Sequence, residues 1–282
     1  MITTPHDMRK RLSKEHIQRM TIGISGAVGV SLIVLLISKS LLAFVILLVA
    51  LACAVTIICG FMRKSEENRI EKIAGIYAVY EQNGLSENYC QTFAEFFVNN
   101  TNQPANEYLI YLASLYGRLG KADMTNFYLE RVDLKKISDE DKFFYCLEKL
   151  FYYGKANAWR DAVDFRNKNI NFIQTYMQKK KDPSHCVTMY IALAIVDCAS
   201  GKYADAFSLL NCGYKPKGAN DVYFMNILIT AVYVYFKMGD ADNLNTAVEN
   251  AWKYLRTFTR FRYTWEKADF ERRINNAQMG IL

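Results

Sequence analysis

Two long apolar runs, Met20 to Ile37 and Leu41 to Met62, stand near the N-terminus with only Ser38-Lys39-Ser40 between them. One helix across both would be about 64 Å long at about 1.5 Å per residue, twice the hydrocarbon thickness of about 30 Å. The pattern therefore predicts two transmembrane spans joined by a tight turn. After Arg63 the apolar positions recur every three to four residues, the period of half-buried helices. Helices are predicted over residues 66–82, 86–99, 105–119, 121–133, 139–153, 157–178, 184–200, 202–211, 220–238, 240–256 and 264–278. The breaks fall at Asn83-Gly84, Gly120, Gly154, Gly201 and Gly239, where helix signals stop. The nearest thing to strand alternation, Phe258 to Tyr263, is too short and isolated for a sheet. The expected fold class is all-α: a transmembrane helical hairpin over residues 20–62 after a basic segment at 1–19, then a helical domain over 63–282.

Locating the charge changes what the composition means. The net charge is +7, but residues 1–64 hold eight Lys/Arg against Asp7 and Glu15, leaving 27 basic and 26 acidic residues beyond them. The excess belongs to the flanks of the apolar runs, and the rest of the chain is neutral overall, which argues against nucleic acid as a partner. Arg9, Lys10, Arg11, Lys14 and Arg19 precede the first run, Arg63, Lys64, Arg69 and Lys72 follow the second, and the turn has only Lys39. The positive-inside rule then places both termini in the cytoplasm, with the basic flanks able to meet anionic lipid headgroups. A cleaved signal peptide competes as a reading of the first run, but no A-x-A-like site follows it and a second run begins at once. The seven cysteines form no C-x-x-C pair, and two of them, Cys53 and Cys59, lie inside the second run, so free thiols in a reducing compartment are expected.

Small residues stand four apart in the first run at Gly23/Ala27, Ser25/Gly29 and Ala27/Ser31, and in the second at Ala50/Ala54. Such spacing lets helix backbones approach closely in lipid. It serves packing of the two spans on each other or leaves a face for another membrane subunit. Neither run holds Asp, Glu, Arg or His, so the hairpin reads as an anchor rather than an ion path.

Several of the later breaks share a signature. Around Gly201 stand Tyr190, Leu193, Ala194, Asp197, Tyr203, Ala206 and Leu210; around Gly120, Leu109, Leu112, Ala113, Tyr116 and Leu129; around Gly239, Leu228, Ala231, Tyr235 and Ala251. This resembles the tetratricopeptide repeat over about residues 105–255, with Asp197 where that family prefers Tyr and Thr125 replacing a packing Ala. Gly154 repeats the register of Gly120 after 34 residues, and the distance on to Gly201 requires a long second helix ending near Lys179-Lys180-Lys181. The resemblance implies an α-solenoid of stacked hairpins, because one hairpin cannot bury its apolar face alone. It also implies a concave face that binds an extended or helical peptide. The inner-helix positions on that face are Ile110, Ser114 and Arg118; Phe144, Glu148, Phe151 and Tyr152; Ile191 and Ile195; and Ile229, Tyr233, Phe236 and Lys237. Of these, Arg118, Phe151, Tyr152, Ile191, Ile195, Tyr233, Phe236 and Lys237 are the candidate partner contacts, and the alternative is that neighbouring hairpins cover them.

Catalytic signatures are missing. His6, His16 and His185 form no H-E-x-x-H motif, and the sequence holds no Walker loop, no G-x-S-x-G and no zinc-spaced Cys/His cluster. Asp139-Glu140-Asp141 follows Ser138 and reads as an acidic helix start rather than a metal cluster. No cofactor, no metal and no enzymatic activity are expected. The segment from Trp252 to Arg273 mixes seven basic residues with seven aromatic ones, and it suits either a capping helix or a headgroup contact. The expected function is a membrane-anchored scaffold or adaptor whose helical domain binds a protein or peptide. The alternative is an accessory subunit of a membrane enzyme or secretion complex, assembled through the hairpin.

Overall fold

The computed structural model describes residues 5–179, 183–211 and 213–281. Among them the chain forms twelve α-helices and one π-helical turn, with no strand. It divides into two compact units, one ending at Val79 and the other beginning at Tyr80.

The first unit holds α1 (Pro5–Ser38) and most of α2 (Leu41–Asn83). Both are long and apolar enough to cross a membrane. The turn between them puts Lys39 at φ 52°, and the Ser40 hydroxyl caps α2 by accepting from the Ala43 amide at 3.3 Å. The hairpin packs through small residues. A Cβ added to Gly23 would lie 2.6 Å from Val55 Cγ1, and Ala27 and Ser31, further along the same stripe, are buried. A Cβ added to Gly26 or Gly29 would meet nothing within 4 Å, so that face of α1 is open. The second apolar run and the predicted helix at 66–82 are one continuous helix. No Gly-Pro or Asn-Gly signal interrupts them, and i,i+4 pairing such as Arg63 with Glu67 at 2.7 Å supports the junction.

In the second unit, α3 (Glu87–Ala94) runs into the π turn Glu95–Asn99 and is followed by four hairpins. These are α4 (Asn106–Arg118) with α5 (Ala122–Glu130), α6 (Asp139–Lys155) with α7 (Trp159–Lys179), α8 (Pro183–Ala199) with α9 (Tyr203–Leu210), and α10 (Val222–Met238) with α11 (Ala241–Arg256). Helix α12 (Glu266–Gln278) follows. Each first helix packs on its own partner and on the next first helix, in the order α4, α6, α8, α10, α12. Each second helix also touches the first helix of the next hairpin. The segment Phe258 to Tyr263 is irregular, not a strand.

The turns of these hairpins share one device. Gly120, Gly201 and Gly239 sit at φ 73°, 74° and 75°, and the amide after each reaches back to the carbonyl of Tyr116, Asp197 or Tyr235. That is a helix stop built on a left-handed residue, for which glycine carries no Cβ penalty. The expected break at Gly154 is corrected by the structure. Helix α6 runs through Gly154 to Lys155, and the left-handed residue is Asn157 at φ 55°, with the Ala158 amide on the Tyr153 carbonyl. Gly154 has a packing role instead, since a Cβ there would lie 3.0 Å from Ile195 Cγ2. Ser138 caps α6 by accepting from the Asp141 amide, placing Asp139, Glu140 and Asp141 in its first turn.

Among the described residues, one apolar cluster is centred on α6, α7 and α8 and another on α8 to α12, while α3 and α4 bury further side chains such as Tyr89, Phe93, Leu109 and Leu112. Asp197 is buried and ion-paired with Arg166 of α7, which accounts for a carboxylate where the repeat pattern favours Tyr. Cys53, Cys59, Cys90, Cys146, Cys186 and Cys198 are free thiols, and burial pushes Cys146 up to about 12. Cys212 lies outside the described residues, as do Lys180 and Lys181 of the basic run after α7.

Candidate functional site

The sequence-derived inner-face residues separate into two environments. Ile191 and Ile195 of α8 and Tyr233 of α10 are buried members of the α8–α12 cluster, and Phe151 of α6 packs against it. Tyr152 is half-buried, and Phe236 and Lys237 are exposed near the end of α10. Phe236 lies against the chain after α12, where a Cβ on Gly280 would come within 2.4 Å of its ring. The Lys237 ammonium stands 5.4 Å from the centre of the Tyr233 ring.

At the α4–α6 end the same face is polar. Arg118 of α4 and Lys155 of α6 reach solvent, while Ser114 of α4, Glu148 of α6, and Asp269 and Arg273 of α12 are half-buried. Burial pushes the Glu148 carboxyl up to about 7, against the opposing pull of Ser114, Lys155 and Arg118. Lys155 Nζ donates to the Gly117 carbonyl at 2.8 Å, and Arg118 Nη1 to the Tyr80 hydroxyl at 3.5 Å. Burial lowers the Lys155 pKa, Glu148 opposes the shift, and the charges of Arg273 and Arg118 add to it. Burial likewise lowers Arg273, with Asp269 opposing and Arg118 and Arg272 adding. Burial also works against the charge on Arg118, but Tyr80 and Asp269 outweigh it and the net shift is upward.

Tyr80 anchors the surroundings. Trp265 Nε1 donates to its carbonyl at 3.2 Å, and the Tyr80 ring packs edge-on against both Tyr263 and Trp265, which stack on each other. The aromatic residues of the Trp252–Arg273 segment are thus used in packing: Trp252, Tyr254, Phe258 and Phe261 lie on the α8–α12 cluster, Phe270 is buried within it, and Tyr263 and Trp265 lie on Tyr80. A separate groove of about 440 Å³ lies between α9 and α11 over the opposite face of α10, lined by residues such as Phe207, Leu228, Tyr235, Asn243 and Asn250. It has no Asp, Glu, Lys or Arg in its lining.

Sequence periodicity placed Ser114, Arg118 and Glu148 on one face, and the structure brings them together. It missed Lys155, Asp269, Arg273 and Tyr80. For Lys155 a signal existed: it lies seven residues after Glu148, two helical turns along the same face. Nothing local marks the other three, since they arrive from α12 and the end of α2. Among the described residues, no group of three or more His, Cys, Asp or Glu is arranged to hold a metal ion. No protein-family model, curated protein or solved structure matches the chain.

Proposed function

We propose that the chain is a membrane-anchored adaptor. In this reading α1 and α2 insert as a two-span hairpin, and the basic flanks on both sides of it hold the termini and the helical domain in the cytoplasm. The domain is a tetratricopeptide-like stack, a reading supported by its repeated turn device and by first helices that pack in chain order. A protein or peptide partner docks on its inner face. The observation that carries this role is the polar stretch of the inner face on α4 and α6, where Arg118 and Lys155 are exposed and Ser114 and Glu148 half-buried, in a unit whose Ile191, Ile195 and Tyr233 are buried in the core. In this reading the role of that face is binding.

A second reading, an accessory subunit assembled through the membrane, draws on the open Gly26/Gly29 face of α1. Site-specific photo-crosslinking in intact cells separates the two. A photoreactive aromatic at Tyr152 should yield a discrete protein adduct, and one at Phe127, exposed on α5, should not. Adducts formed only from position 26 would replace the adaptor by the subunit. For topology, a reporter active only in the cytoplasm, fused after residue 282, should be active; cleavage of the domain by protease added outside intact cells would refute the orientation.

A further inference from the structure

Two loops of the second unit meet and gather cations. Residues 213–221, between α9 and α10, are tied by hydrogen bonds to residues 254–266, which run from the end of α11 to the start of α12. The Thr259 amide donates to Asn220 Oδ1 at 2.9 Å, the Thr257 hydroxyl to the Ala219 carbonyl at 3.3 Å, and the Tyr254 hydroxyl to the Gly218 carbonyl at 2.9 Å. Lys215 and Lys217 stand on the first segment and Arg256, Arg260 and Arg262 on the second, and all five are exposed. Among the described residues, none of the five has a carboxylate oxygen within 4.0 Å. The contacts they do make are with neutral groups: Arg256 Nε donates to the Trp252 carbonyl at 3.3 Å, and the Arg262 guanidinium stands 5.1 Å from the centre of the Tyr263 ring. The two carboxylates of these segments are spent within the fold. Asp221 accepts from the amides of Lys217, Tyr223 and Phe224 and from the Tyr214 hydroxyl, and Glu266 from the amides of Arg262 and Tyr263. Five cations against two carboxylates leave +3, whereas the rest of the chain beyond residue 64 holds 22 basic and 24 acidic residues. The positive charge of an otherwise slightly acidic domain is thus concentrated on one patch.

Exposed cations on two adjoining loops suit a surface that offers many anionic groups side by side. Apolar groups lie with them. Val222, next in the chain to Asp221, is exposed on the first turn of α10, and the half-buried Phe261, between Arg260 and Arg262, stacks on Phe258. Cations mixed with apolar side chains match the boundary of an anionic bilayer, where headgroups take the charge and the acyl edge takes the apolar groups. We propose that this patch docks on anionic lipid headgroups, with Lys215, Lys217, Arg256, Arg260 and Arg262 meeting the headgroup anions and Val222 lying at the acyl boundary. The two-span reading supplies the bilayer within reach; the patch itself stands on the two joined loops.

The test reconstitutes the full chain in nanodiscs of phosphatidylcholine, alone or with about one-third phosphatidylserine. A photoreactive aromatic placed at Val222 should form lipid adducts about fivefold or more abundant in the serine-containing discs, and salt at about 1 M should cancel that gain. Lys215→Gln, Lys217→Gln, Arg256→Gln, Arg260→Gln and Arg262→Gln combined should also remove it, while Lys202→Gln, exposed at the α8–α9 turn, should keep it. Equal adduct yields in the two kinds of disc would overturn the proposal, as would a gain that survives either salt or the combined variant. If the combined variant loses helicity, Lys215→Gln with Lys217→Gln is compared with Arg260→Gln with Arg262→Gln. A reduced gain in either pair supports the patch, and a full gain in both overturns it. Adducts to protein alone in intact cells would overturn the lipid in favour of an acidic partner. The same photoreactive group at Ile33, in α1, tests the spans separately. Lipid adducts there with none at position 222 remove the lipid patch and leave the anchor; the reverse removes the anchor and leaves the patch.

Discussion

The inner face of the helical unit differs between its two ends. At the α8–α10 end, Ile191, Ile195 and Tyr233 are buried among the side chains of α10, α11 and α12. At the α4–α6 end, Ser114, Arg118, Glu148 and Lys155 stand on equivalent helix faces, yet they keep water contact. The helical period is the same in both places. The environment differs because α12 packs on α10 and α11, while among the described residues no such packing joins it to α4 or α6. Occupying a concave-face register is thus no sign of being a binding residue; what covers the register decides.

The comparison breaks first at Tyr233. Tyr233→Ala should cost about 3–5 kcal/mol in denaturant unfolding of the full chain in detergent, the cost of emptying a packed aromatic site. A loss below 1 kcal/mol would mean that the sealed end is not sealed.

The Arg166–Asp197 pair is the next largest. Arg166→Ala leaves the Asp197 carboxylate buried without its cation and should cost about 3 kcal/mol, with much of the loss recovered in a double variant that also carries Asp197→Ala. Equal losses in the single and double variants would show that the two side chains act independently.

Glu148 sharpens the polar end. Its pKa is raised from 4.5 to about 7 on folding, so the folded state binds the extra proton between those values. Its contribution favours the fold below pH 4.5 and is lost as pH rises through 7. Subtracting the stability–pH curve of Glu148→Gln from that of the wild type should leave a decline on the order of 2 kcal/mol across that window, reduced where the carboxyl meets water. A flat difference would place Glu148 in an ordinary solvated setting.

The smallest effect is expected at Phe236, which is 38% exposed. Phe236→Ala should cost only about 1 kcal/mol, mainly through its contact with the chain at Gly280. A cost matching that of Tyr233→Ala would place Phe236 in the core with its neighbour.

Much of the fold was legible in local signals. Ser138 before three acids marked the start of α6, and Gly120, Gly201 and Gly239 marked hairpin turns because a left-handed helix stop favours glycine. Gly154 misled for a related reason. A glycine is also placed where two helices approach closely, and the sequence does not distinguish that use from a turn, while Asn157 adopts the left-handed conformation without being glycine. The candidate site was half legible. Ser114, Arg118 and Glu148 fell on one face by period, whereas Tyr80 and Trp265 meet across 185 positions of chain.

By itself the sequence determined the helical class, the two apolar helices long enough for a bilayer, most hairpin boundaries and the location of the excess charge, because each depends on residues within a few turns of one another. Only the tertiary structure decided which inner-face side chains became core and which stayed in contact with water. That choice depends on α12 and the end of α2, which reach the face from far along the chain, and helical periodicity carries phase within an element but no information about its distant neighbours.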